Sequence, residues 1–168
     1  ILNLRLTREG PLVLQGDRGV SRKGPALTNA SYYYSRPRML TRGTLKIGSQ
    51  THTVAGNSWF DHEWSTTALG RDVTGWDWFS IHLADGRDLM VCQIRDAQNR
   101  PNEYGFGSLS RPDGTYEILT ADQFLITPTG YWTSPSTGNQ YPGEWEINLP
   151  GQGLSLRVVP VIPHQEHT

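Results

Sequence analysis

A chain of 168 residues can bury a core of its own, and 15 basic against 16 acidic residues leave a net charge of −1. There is no basic stripe for nucleic acid, and no apolar run reaches the roughly 18–20 residues that a membrane-crossing helix needs. Only 18% of residues are charged, whereas 18 glycines, 11 prolines and 6 tryptophans point to a turn-rich, aromatic-rich β-protein and away from disorder. Cys92 is the only cysteine in the sequence, so no disulfide forms within the chain and cysteine usage carries no information on compartment. Ile1 stands inside an alternating pattern, with neither an initiator methionine nor a signal peptide before it; the expectation is that both ends are cut.

Leu2, Leu4 and Leu6 alternate with Asn3 and Arg5, which predicts a strand with one buried face. "PLVLQ" extends the pattern after Gly10-Pro11. "GDRGVSRKGPALTN" reads as a polar loop, where Asp17, Arg18, Arg22 and Lys23 suit an anion site or, more simply, a mobile surface. "ASYYYSR" and "RMLTRGTLKIG" are the next two strands, and Gly48-Ser49 is the turn into "QTHTVAG". "TTALGRDVTG" breaks the periodicity as a linker, and its "TTAL" is the one stretch that invites a helix. "GWDWFSIHLADGRDLMVCQIRD" is a hairpin around Asp85-Gly86, and Asp113-Gly114 joins a second pair of strands. "DQFLITP", "YPGEWEINLP" and "LSLRVVPVI" complete an all-β meander, for which closure into an antiparallel barrel or a sandwich is expected.

The densest chemistry lies in "GNSWFDHEWS", residues 56–65. On a strand, Trp59, Asp61 and Glu63 share one face, while Phe60, His62 and Trp64 share the other. Two carboxylates beside an indole suit a working acid, because desolvation and a neighbouring charge both favour the protonated carboxyl. The structural alternative is a carboxylate paired with arginine among core tryptophans. His62-Glu63 resembles half of a zinc-protease motif, but Thr66 stands where its second histidine belongs, so no metal is expected. In "GWDWFSIHL", Trp76, Trp78, Ser80 and His82 alternate with Asp77, Phe79, Ile81 and Leu83. Such a strand is wedged between layers or lines a cavity. If Trp78 is core, Trp78→Ala costs about 3–5 kcal/mol; Asp77 is expected to pair with an arginine.

The ordered blocks "LQGDRGVSRKG", "ASYYYS", "GNSWFDHEWS" and "GWDWFSIHLADGRDLMVCQIRD" resemble the hydroxyneurosporene synthase/carotenoid 1,2-hydratase family, which includes the AttH-like predicted secreted hydrolases. The resemblance runs from about residue 11 to 162. It implies lipocalin-like (calycin) barrels in tandem, with residues 1–66 ending a first barrel and 67–168 beginning a second. It also implies cofactor-independent hydration or isomerisation of a carbon–carbon double bond in a carotenoid- or terpenoid-like ligand. Asp61, Glu63 and Tyr34 are then the catalytic candidates, and Trp59, Tyr33, His62, Trp76 and Trp78 the ligand-binding ones. The expected partner is a lipophilic small molecule, with the rest of the polypeptide or a second copy completing the barrels in a periplasmic or secreted setting. The alternative is a non-catalytic lipocalin-like binding module. A glycosidase built on Asp61 and Glu63 has little beyond the tryptophans to support it.

Overall fold

The first sheet is built around one long strand. In the computed structural model, which describes residues 1–66 and 69–167, this sheet holds β1 (Leu2–Arg8), β2 (Val13–Leu14), β3 (Val20–Arg22), β4 (Ala30–Ile47) and β5 (Gln50–Trp64). β5 lies along one edge of β4, and β1, β2 and β3 follow one another along the other. Tyr34, for example, pairs with Leu14 on one side and His62 on the other.

The two strands expected over residues 30–47 are thus one, and the reason is a bulge. Arg36 pairs with Phe60 and Met39 with Ser58, so Pro37 and Arg38 together oppose Trp59. A proline has no N–H to give a ladder, and a bulge leaves the extra residue unpaired, so the chain continues through Pro37 without losing a strand. The hairpin closes where expected, with Ile47 opposite Gln50 across Gly48-Ser49 and Gly48 at φ 56°.

The expected polar loop contains a tight hairpin. Asp17 and Val20 exchange two backbone hydrogen bonds of 3.0 Å around Arg18 (φ 49°) and Gly19 (φ 95°), the pair of positive φ values that a type I′ turn requires. A Cβ on Gly16 would lie 2.3 Å from the Val20 carbonyl oxygen, so only glycine fits there. β3 therefore runs back along β4, and alternation buries Ser21 and Lys23 while Val20 and Arg22 face out. The mobile-surface expectation is corrected for Lys23, which is 5% exposed. The expectation for β1 is corrected too: Leu2 and Leu6 are 66% and 40% exposed.

The second sheet is the predicted meander of β6 (Gly75–His82), β7 (Asp88–Arg95), β8 (Phe106–Ser110) and β9 (Tyr116–Thr120), turning at Asp85-Gly86 and Asp113-Gly114. Within the unit Ile1–Thr120 the two sheets pack on each other through Tyr33 of β4 against Met90, Cys92, Ile94 and Phe106. Beside this core, Arg38 of β4 donates two hydrogen bonds, at 2.6 and 3.2 Å, to the buried Asp88 carboxylate of β7, which also sits 2.7 Å from His82 Nδ1. The helix that "TTAL" invites would span residues 66–69, of which 67 and 68 lie outside the described residues.

The unit Ala121–Thr168 holds a one-turn 3-10 helix at Ala121–Gln123 and the antiparallel sheet β10 (Leu125–Thr133), β11 (Gln140–Leu149) and β12 (Leu154–Val158). Ile126, Trp145, Ile147 and Leu149 are buried. No α-helix occurs among the described residues, and no helix there is long and apolar enough to cross a membrane.

Removing one partner of a buried ion pair strands the other, so Asp88→Ala is expected to cost about 3–5 kcal/mol in chemical denaturation. Asp85→Ala, which deletes a solvent-exposed turn pair with Arg87, should leave the transition almost unmoved.

Candidate active site

The pleat and the bulge together decide what β5 presents to the second sheet. Trp59, Asp61 and Glu63 turn inward beside Ser31, Tyr33 and Ser35 of β4, and Phe60, His62 and Trp64 turn outward beside Tyr32 and Tyr34. Between the sheets opens a cleft of about 300 Å³. Tyr33, Cys92, Ile94 and Phe106 form its apolar floor, Trp64, Leu69, Trp76 and Trp78 its rim, and Lys23, Ser31 and Glu63 its polar wall.

Asp61 lies just beyond the cleft lining, in a hydrogen-bonded group. Ser35 Oγ donates to Asp61 Oδ1 at 2.5 Å, and Gln15 Nε2 in turn donates to Ser35 Oγ at 2.9 Å and to Ser108 Oγ at 3.0 Å. The buried Tyr33 hydroxyl couples to the same group, with Asp61, Ser35 and Trp78 as its polar neighbours. Burial first, and then the Asp61 charge, push the Tyr33 phenol well above its ordinary value, so it stays a neutral donor. Among the described residues Asp61 has no arginine partner, whereas Asp77 does: Arg95 and Gln93 both donate to it, as expected for that residue.

Glu63 faces the cleft directly. Its Oε1 accepts from Ser31 Oγ at 2.5 Å and forms an ion pair with Lys23 Nζ at 3.0 Å. Lys23 also donates to Ser21 Oγ at 2.9 Å, and its ammonium lies 3.6 Å from the centre of the Phe106 ring. Burial lowers the Lys23 pKa, and Glu63 opposes that shift. Burial also pushes the Cys92 thiol up to about 12, which leaves it inert.

Of the predicted residues, then, the fold makes Asp61 and Trp78 polar neighbours of the Tyr33 hydroxyl, and sets Tyr33, Glu63, Trp76 and Trp78 around one cleft. Tyr34 and His62 are not among them. They stack at 5.4 Å on the outer face with Phe60, because neighbours on a strand point to opposite sides. Trp59 packs against the core, 5.8 Å from His82, with its indole N–H unpaired. Trp78 is 39% exposed, so the core expectation is corrected: it borders the cleft. Sequence reading missed Lys23 and Ser31 as site residues, although the alternation Ser21–Lys23 in "VSRK" carried the signal. Asp61 and Glu63 do not share a cleft, which removes the geometry a glycosidase would use. Among the described residues no three of His, Cys, Asp and Glu gather closely enough to hold a metal ion.

A larger hollow of about 460 Å³ lies in the C-terminal unit beside Trp132, Tyr141 and Pro160. Its carboxylate, Glu166, already accepts hydrogen bonds from Ser134, Thr137 and Tyr141, and those from Ser134 and Tyr141 hold its pKa below the usual carboxylate range.

An all-β, lipocalin-like fold with an aromatic cleft between two sheets defines the class of protein. The AttH-like family model matches residues 1–168, and the chain belongs to that family. It is 36% identical to a Nitrosomonas europaea protein assigned to AttH, whose crystal structure it matches with a TM-score of 0.89 over 99% of this chain and 51% of that one. It also matches kievitone hydratase from Nectria haematococca with a TM-score of 0.67 at 18% identity, covering 88% of this chain and 45% of the other. The chain therefore spans about half the length of both. No curated protein matches the sequence.

Truncating a part-exposed indole is expected to cost about 1–2 kcal/mol, so Trp78→Ala should fall well short of a core deletion in urea unfolding. Cys92 binds its proton more tightly in the fold (about 12) than its ordinary value of 9.0. Its contribution to stability is therefore complete below about pH 9 and lost as pH rises towards 12. Denaturation series across that range should show the fall, with a shallower slope in Cys92→Ala. Thiol reagents at pH 8 should label Cys92 only on unfolding.

Proposed function

We propose that the cleft binds an apolar, unsaturated ligand and that the Tyr33–Asp61 pair supplies the proton for cofactor-independent hydration of its double bond. The carrying observation is a buried phenol, Tyr33, that lines a cleft rimmed by indoles and has the Asp61 carboxyl as its polar neighbour. Protonating an alkene needs an acid, and the carbocation that results needs electron-rich faces rather than a nucleophilic side chain. In this reading Asp61, when protonated, passes its proton to the Tyr33 oxygen as Tyr33 gives its own to the alkene carbon. Trp76 and Trp78 stabilise the cation, a water adds to it, and the proton the water sheds returns to the pair. Membership of the AttH-like family and the likeness to a hydratase fold support the reading. A carotenoid or terpenoid is the proposed ligand class.

A second reading, a binding module without chemistry, is favoured by one feature: Ser35 and Tyr33 already engage the Asp61 carboxylate outside the cleft lining. For the tandem-barrel organisation we propose a boundary after residue 66, supported by the change of sheet between β5 and β6. Packing nevertheless groups both sheets within Ile1–Thr120.

The test is incubation with linear prenyl alkenes (farnesol, geranylgeraniol, lycopene), read by mass spectrometry for gain of one water, with binding read from quenching of indole fluorescence. Asp61→Asn is expected to cut turnover by about 10²–10⁴-fold, the range for a general acid, while the dissociation constant stays within about threefold. Quenching with no water gained by the parent protein would select the binding module, and full turnover in Asp61→Asn would end the acid assignment.

A further inference from the structure

The cleft is not uniformly apolar. Its polar wall holds a carboxylate whose two oxygens are unequal. Glu63 Oε1 is occupied by Ser31 and Lys23, whereas Oε2 has no protein partner among the described residues, and the side chain as a whole is 40% exposed. Lys23, only 7% exposed at its side chain, is spent on Glu63, Ser21 and the face of Phe106. A lysine so enclosed does not reach for a ligand. Its ion pair and the Ser31 hydroxyl instead hold Glu63 in one orientation, and a fixed carboxylate oxygen at an apolar cleft is a strong, directional acceptor.

We propose that Glu63 Oε2 is a hydroxyl-anchoring subsite, with Lys23 and Ser31 as its positioning residues, and that the ligand is an alcohol or phenol whose unsaturated body lies among Trp64, Trp76 and Trp78. A bare hydrocarbon would leave this acceptor dry and unpaired, which penalises it. A ligand with only ether or carbonyl oxygens would face a carboxylate with no proton to offer it. The subsite thus selects donors. The proposal rests on the cleft being the ligand site, and not on hydration taking place there.

The experiment compares 2-naphthol, 2-methoxynaphthalene and naphthalene as probes of the intact protein by indole fluorescence quenching, below the naphthol pKa. The expected result is that 2-naphthol binds about tenfold or more tightly than naphthalene, while the methoxy compound, which keeps the oxygen but loses the donor, binds like naphthalene. Glu63→Gln should shrink the naphthol preference to less than about threefold and leave naphthalene affinity within about twofold. Lys23→Met should shrink it too, through a loosened Glu63, and Lys23→Arg should restore part of it.

Equal binding of all three probes, or a methoxy compound that binds as well as naphthol, overturns the subsite on the unmutated protein and so needs no variant to fold. A preference unchanged in Glu63→Gln also overturns it, and one unchanged in Lys23→Met removes the positioning role. Quenching by none of the probes overturns the subsite and the cleft reading together. The full naphthol preference, in a protein that adds no water to any alkene, upholds the subsite while hydration falls.

Discussion

A buried phenol must find partners for its hydroxyl, and at Tyr33 that requirement organises the first unit. The ring is core, meeting Phe106 edge-on at 6.1 Å and packing with Met90, Cys92 and Ile94. The hydroxyl takes its polar surroundings from the two sheets that enclose it, with Asp61 and Ser35 from the first and Trp78 from the second. One side chain thereby links packing, sheet-to-sheet registration and the Asp61 carboxyl just beyond the cleft lining. With an apolar residue here the same core would pack, but Asp61 and the Trp78 N–H would lose their common partner.

Which residues reach that point follows from parity. Strand side chains alternate, so an added or missing residue exchanges the faces. The bulge at Pro37-Arg38 is such a change in β4: Arg36 and Met39, three residues apart, pair with Phe60 and Ser58, two apart on β5. Arg38, within the bulge, turns to Asp88, so the irregularity in β4 also supplies the ion pair that ties it to β7.

Much of this was legible in the sequence. Alternation in "WFDHEW" sorted the two faces, and Asp-Gly pairs marked both turns of the second sheet, because these features are local. Tyr34 and His62 were placed at the site for their chemistry, against the same alternation that had put His62 on the other face. The glycines of "GDRGVSRKG" read as a loop because a type I′ turn with arginine at its first position lacks the usual Asn-Gly signature. Lys23 was missed for a deeper reason. Burial of an ammonium is a decision of the tertiary structure, made only when β5 supplies Glu63 and β8 supplies the face of Phe106. The exposed Leu2 and Leu6 are the converse case, since periodicity announces an apolar face but not what covers it.

The Lys23–Glu63 pair also bears on why this cleft is a site and not a packing defect. Enclosing an ammonium is unfavourable, and replacing a buried ion pair by apolar side chains of similar volume is often neutral or stabilising. A fold seeking only stability would fill the space beside Phe106 with a methyl-bearing side chain and close the cleft. Here the opposite holds: a type I′ turn forces β3 back along β4, delivering a lysine to a place where burial lowers its pKa, and the carboxylate it steadies keeps one oxygen open to the cleft. The apolar floor raises the strength of that acceptor, because a low dielectric weakens charge less than water does. The cost of burying Lys23 and the directionality of Glu63 are therefore two sides of one arrangement, which serves recognition at the expense of packing.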